Sequence, residues 1–199
     1  MAIAIDSSDT NKLEVSFQFS TPVSAESSSS AKPTPIINTV TASSLSNAIN
    51  LVNGYLGKHI NMSHCKVIIF SEDLAFKGIS DEIYTLINDT QVRPSCNLVV
   101  SKCSAKYYLE QTSPQLENLI SKYYEIFASS SKYTGYMPDA TIGNFFNSMI
   151  CKTCEPYAIL GGVNEGIPNN SNESDSQKDY TIKANESSIT GENGAENIG

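Results

Sequence analysis

Arginine occurs once in the 199 residues, as Arg93, against twelve lysines and beside abundant asparagine and isoleucine. That imbalance is what an AT-rich genome tends to give, and it carries no chemistry of its own. Long apolar runs are also missing. The densest, Val67-Ile68-Ile69-Phe70, is far short of the roughly 18 residues a membrane-crossing helix needs. The opening Met1-Ala2-Ile3-Ala4-Ile5-Asp6 has neither the basic segment nor the extended apolar core of a signal peptide. As written, the chain is expected to be soluble. Basic residues number 13 and acidic ones 21, and the formal net charge of −8 argues against nucleic acid or an anionic lipid surface as the main partner.

The acidity is uneven. Residues 164–199 hold seven acids against Lys178 and Lys183, a net of −5, whereas the first 163 residues carry a net of only −3. That tail is rich in Asn, Ser and Gly and poor in large apolar residues, so it is expected to be disordered or the truncated start of a further domain. The remainder, 1–163, suits one domain, and a chain that is 40% hydrophobic can build its core. The five cysteines fall at irregular spacings and make no disulfide framework; their odd number fits a reducing compartment or an anaerobe.

Residues 2–5 form a short apolar run, and Leu13, Val15, Phe17 and Phe19 alternate strictly with polar residues. The period of two predicts a half-buried strand, and the Asp6–Asn11 turn chemistry between the runs predicts a hairpin. A solvated loop is expected over 22–35 and a strand over 36–41. A helix capped by Ser43 or Ser44 then carries Leu45, Ala48, Ile49, Val52 and Leu56 and ends at Gly54 and Gly57. The continuous run Lys66 to Phe70 predicts a strand covered on both faces. Ser71-Glu72-Asp73 caps a short helix closed by Gly78, and another helix spans about 80–89. A strand over 97–101 and a helix over 105–110 follow. Helices are expected to open at Pro114 and Pro138, with a last strand over 155–160. Strands interleaved with helices after an opening hairpin give an α/β (α+β) fold, a mixed sheet with helices packed on it.

Candidate chemistry is sparse. Cys151-Lys152-Thr153-Cys154 has the spacing of a thiol-redox or metal-binding pair, but it follows a helical stretch, whereas a redox CxxC sits at a helix N-terminus after a strand. Zinc would need two more ligands, and Cys65, Cys96, Cys103, His59 and His64 offer no second paired motif. His59 and His64 flank the start of a strand, where facing solvent or serving a backbone group is the ordinary role. No Ser sits in a Gly-x-Ser-x-Gly elbow and no Gly-rich phosphate loop follows a strand. Glu72-Asp73 and Asp81-Glu82 fall at helix starts, where the macrodipole accounts for them. The tyrosines at 107, 108, 123, 124, 133 and 136 are expected in the core and at its boundary. The residues alone point to a non-catalytic α/β domain with no cofactor.

The stretch from Gly57 to Ile79 resembles the Ger(x)C family, the C subunits of spore germinant receptors. His64-Cys65-Lys66-Val67-Ile68 and Glu72-Asp73-Leu74-Ala75, followed by Gly78, match in order and spacing. So do the opening Ala4-Ile5-Asp6, Thr21-Pro22, and Arg93-Pro94 before the 97–101 strand. Asn88-Asp89 stands where the family usually has Arg-Asp. The likeness covers about residues 2–163 and marks His64, Lys66, Glu72, Leu74, Ala75, Gly78 and Asp89 as structural motif positions. It implies the N-terminal domain only, since the signal peptide and lipidated cysteine of the family lie upstream of the Ala-Ile-Asp strand and further domains follow. The implied function is non-enzymatic: interaction with membrane-embedded A- and B-type receptor subunits, on the outer face of the spore inner membrane. Membrane contact would come only through those partners, and no nucleic acid is implied.

Overall fold

The computed structural model describes residues 1–8, 12–19, 35–57, 59–112 and 120–163. The expected tail from 164, most of the 22–35 loop, the turn at 9–11, and Pro114, Leu116 and Leu119 lie outside these residues. Within them the chain runs β1 (Ala2–Ser7), β2 (Leu13–Phe19), β3 (Ile36–Ala42), α1 (Leu45–Leu56), a 3-10 turn (Met62–His64), β4 (Val67–Ser71), α2 (Glu72–Lys77), α3 (Ser80–Asn88), β5 (Asn97–Ser101), α4 (Ala105–Gln111), α5 (Ile120–Ser129), α6 (Ser131–Thr134), α7 (Ile142–Ile150) and β6 (Ile159–Gly161). The six strands form one mixed sheet in the order β3-β2-β1-β4-β5-β6. β1 and β2 are the antiparallel hairpin, closed by the Ser8 amide donating to the Lys12 carbonyl at 2.8 Å. β1, β4, β5 and β6 are parallel neighbours, and β3 lies antiparallel to β2.

Alternation along each strand sends side chains to two separate cores. Ile3, Ile5, Val15, Phe17, Ile68, Phe70 and Leu98 face one side, where Ala48 and Val52 of α1, Leu74 of α2, Ile83 and Leu86 of α3 and Ile142 of α7 cover them. Ala2, Ala4, Val67, Ile69, Val99 and Ile159 face the other, beneath Tyr108 and Leu109 of α4 and Ile120 and Tyr124 of α5. The first face is built mostly from branched and aromatic residues. On the second, two alanines of β1 leave room for the phenol rings of Tyr108 and Tyr124. Burial pushes both phenols well above the usual tyrosine range.

Covering both faces corrects the expectation of a half-buried β2. Leu13, Val15 and Phe17 do face a core, yet Ser16 and Gln18 on the opposite face are buried as completely. Ser16 Oγ lies 2.9 Å from Thr39 Oγ1 and Gln18 Nε2 donates to the Leu109 carbonyl at 3.2 Å, while Gln18 Oε1 is buried without a partner among the described residues. The alternation marked two chemistries of burial, apolar on one side and hydrogen-bonded on the other.

Three boundaries also differ from the sequence expectation. Ser44 does cap α1, accepting from the Asn47 amide, but the helix runs through Gly54 and stops at Gly57, whose φ of 60° is the left-handed turn-off. The last strand is shorter and later than 155–160, because only residues from Ile159 to Gly161 pair with β5. The Pro138 helix begins at Ile142 instead. The preceding chain is held extended beside β5: Leu98 donates to the Ala140 carbonyl at 2.9 Å, and Thr141 bridges Asn97 before its side chain caps α7 through the Asn144 amide.

Candidate functional site

Parallel strands ordinarily bind ligands outside their carboxyl ends, where helix N-termini attract anions. Here that end is filled from within. Asp6, at the end of β1, is only 8% exposed. Its Oδ1 accepts from the Ala105 amide at 2.7 Å and its Oδ2 from the Lys106 amide at 2.9 Å, while Ser104 Oγ accepts from the Tyr107 amide at 3.3 Å. One carboxylate thus supplies two of the unpaired donors of α4 and sits against the positive end of its dipole. Lys106 reaches Glu14 at 3.2 Å, and Lys77 donates to Ser7 at the same end. The acid of Ala4-Ile5-Asp6 is therefore a tertiary helix cap. Nothing local reveals this, because its partner amides lie about a hundred residues further along the chain.

Among the described residues, the opposite end of the sheet holds a cavity. This cavity, of about 780 Å³, lies at the amino ends of β1 and β4, bounded by Phe19 of β2, Ile36 and Asn38 of β3, Leu56 at the end of α1, Ile60 after it, and Ser121 of α5. His59, Asn61, His64 and Lys66 line it as well. The turn that enters β4 sets the arrangement at its rim. Cys65, which caps the 3-10 turn, points into the core and donates to the Val67 carbonyl at 3.4 Å, while His64 and Lys66 line the cavity. The rim loop is fixed by side chains. Asn53 Oδ1 accepts from the Ile60 amide at 2.7 Å, Asn61 Oδ1 from the Ser63 amide at 2.9 Å, and Gln91 Oε1 from the Met62 amide at 3.2 Å. Asp89 Oδ1 in turn holds the Gln91 amide at 2.9 Å. Lys66 Nζ pairs with Glu125 of α5 at 3.2 Å.

The motif positions thus divide into two groups. His64 and Lys66 line the cavity, and Asp89 supports its rim through Gln91. Glu72, Leu74, Ala75 and Gly78 belong to α2, where Leu74 is buried and Glu72 and Asp73 occupy the first turn. Gly78 ends that helix with φ 101° and ψ 137°, donating to the Leu74 and Ala75 carbonyls. A Cβ there would touch nothing within 4 Å, so the backbone conformation alone demands glycine. Gly78→Ala is expected to lower stability by about 1–2 kcal/mol in urea unfolding, with an unchanged denaturant slope.

The cysteines depart from the expectation of unpaired thiols. Cys151 and Cys154 are joined as a disulfide with Cα atoms 5.3 Å apart, because the chain turns tightly there as it leaves α7. Cys151 is the C-cap of α7, the helix end at which the dipole opposes a thiolate. A second pair, which sequence spacing did not offer, arises at the amino ends of β4 and β5, whose register sets Val67 beside Asn97. There the Cys65 and Cys96 side chains interact, and that hydrogen bond together with burial pushes the Cys96 thiol well above its usual range. Of the tyrosines assigned to core and boundary, Tyr108 and Tyr124 are buried and Tyr107 and Tyr123 half-buried, but Tyr133 and Tyr136 stand exposed. Among the described residues, no three His, Cys, Asp or Glu side chains converge as a metal site would require.

The six-stranded mixed sheet covered by helices on both faces places the domain in the α/β class. The family model described as spore germination protein N-terminal domain matches residues 1–160. The chain belongs to that family, the Ger(x)C N-terminal domain, and its role lies in spore germination. No curated protein and no solved structure matches the chain.

Proposed function

We propose that this domain is a non-enzymatic part of a germinant receptor C subunit and docks on the membrane-embedded A- and B-type subunits. Its place would be the outer face of the spore inner membrane. The observation that carries this reading is the family match over residues 1–160. Among the described residues no helix is long and apolar enough to cross a membrane. Contact area for partners is available in exposed aromatic side chains: Phe76 of α2 is 83% exposed and Tyr55 of α1 81%. Aromatic side chains are enriched where proteins meet, because they bury large area at low entropic loss. The mechanism would be conformational, a shift in the population of receptor states that the domain senses or transmits through its contacts.

The test is co-purification of the 199-residue chain with the two membrane subunits from detergent-solubilised membranes. Association is expected, and Phe76→Asp or Tyr55→Asp should weaken it by about tenfold if either ring is buried at the contact. Absence of association, under conditions in which a longer family member does associate, would overturn the reading.

A further inference from the structure

The cavity at the amino ends of β1 and β4 has a chemistry that partner docking does not use. Its floor is apolar, made by Phe19, Ile36, Leu56 and Ile60. Its rim carries the Lys66 ammonium, the imidazoles of His59 and His64, and Met1, whose amino group donates to the His64 carbonyl at 3.4 Å. Among the described residues, the carboxylate paired with the rim cation is Glu125, at 3.2 Å and with its side chain 63% exposed. A volume of about 780 Å³ lies within the ordinary range for small-molecule sites, which combine apolar walls with a few placed polar groups.

We propose that this cavity binds a small amphipathic carboxylate. Its hydrocarbon body lies on the apolar floor and its head group takes Lys66 Nζ in place of, or shared with, Glu125. The Lys66 ammonium gives a carboxylate a charge-assisted donor, and the neighbouring Met1 amino group and imidazoles supply further donors. A cationic head would meet Lys66 as a like charge and is disfavoured. The rim is held in place by Asn53, Asn61 and Gln91, so the site needs little ordering when a ligand arrives. Such binding stands whether or not the domain docks on membrane subunits.

The exposed Glu125 makes the proposal testable in both directions. The experiment titrates the 199-residue chain with sodium hexanoate, hexylammonium chloride and 1-hexanol, reading backbone amide shifts by NMR. Hexanoate is expected to give saturable shifts confined to the amides around Phe19, Ile60 and Lys66, with hexylammonium much weaker. Removing the competing carboxylate by Glu125→Gln should tighten hexanoate binding, and Lys66→Gln should weaken it, each by roughly threefold. Glu125→Gln alters an exposed helix side chain, so its reading stands even if Lys66→Gln unfolds the domain. Equal binding of hexylammonium, shifts located elsewhere, no saturable shift, or Glu125→Gln leaving affinity unchanged would each overturn the proposal.

Discussion

Replacing Asp6 with alanine should destabilise the domain by about 3 kcal/mol, a large fraction of the total for a domain of this size. The carboxylate accepts from the Ala105 and Lys106 amides at 2.7 and 2.9 Å, and both bonds are charge-assisted. Alanine removes the acceptor and leaves two donors at a helix start packed against the sheet, the Ala105 amide fully buried there. Water cannot reach that amide without opening the contact between α4 and β1. An ordinary surface N-cap loss is nearer 1 kcal/mol, because solvent replaces the lost acceptor. Asp6→Asn should fall between the two: one oxygen is kept, but an amide nitrogen then faces a backbone donor. Urea unfolding of the three proteins checks the order, wild type above Asn above Ala. An Asp6→Ala loss below about 1 kcal/mol would mean that the cap is solvated and the end of the sheet open. Because α4 also roofs Ala2 and Ala4, hydrogen exchange should rise first in α4 of the alanine variant.

That cap shows where sequence reading succeeds and where it stops. Elements whose signals are local were legible. The β1–β2 hairpin came from turn chemistry between two apolar runs, α1 from its capping serine and helical spacing, and β5 from Asn97 to Ser101 within the expected bounds. Helix starts governed by tertiary contacts were not. Pro138 is a competent first-turn residue, yet the pairing of Ala140 and Thr141 with β5 outweighs it and delays α7 to Ile142. The short α6, Ser131–Thr134, has no apolar periodicity of its own and left no trace in the pattern. The burial of Ser16 and Gln18 was equally invisible, since a polar residue hydrogen-bonded under a helix and one facing water look alike in one dimension.

The cavity was half legible. His64 and Lys66 stand out as motif positions, but their shared direction comes from the 3-10 turn before β4, which the sequence pattern does not reveal. Phe19, Ile36 and Asn38 could not have been assigned to the same site. They join it because β2 and β3 lie on the far side of β1 from β4, an order that depends on which strands pair. The disulfide has the same character. Its spacing was visible, and the location of Cys151 after a helix was read correctly, but the closure of the turn that joins it to Cys154 is a matter of backbone path.

Ile68 and Ile69 give the sharpest test of the architecture itself. They are sequence neighbours on β4 and both are completely buried, yet Ile68 belongs to the core under α1, α3 and α7 and Ile69 to the core under α4 and α5. Each alanine substitution should cost about 3 kcal/mol, the usual loss for removing a buried isoleucine and leaving a cavity. In a sheet covered on one face only, one of the pair would be nearly neutral. The two cavities open on opposite sides of the strand, but the residues share its backbone. The double variant should lose at least as much as either single one, and its departure from the sum measures coupling through β4. A sum near 6 kcal/mol approaches the whole stability of many domains. The double variant should therefore be largely unfolded at 37 °C, while each single variant retains its far-ultraviolet circular dichroism with a lowered urea midpoint. A near-neutral Ile69→Ala would place α4 and α5 off the sheet and remove the roof that Asp6 holds in position.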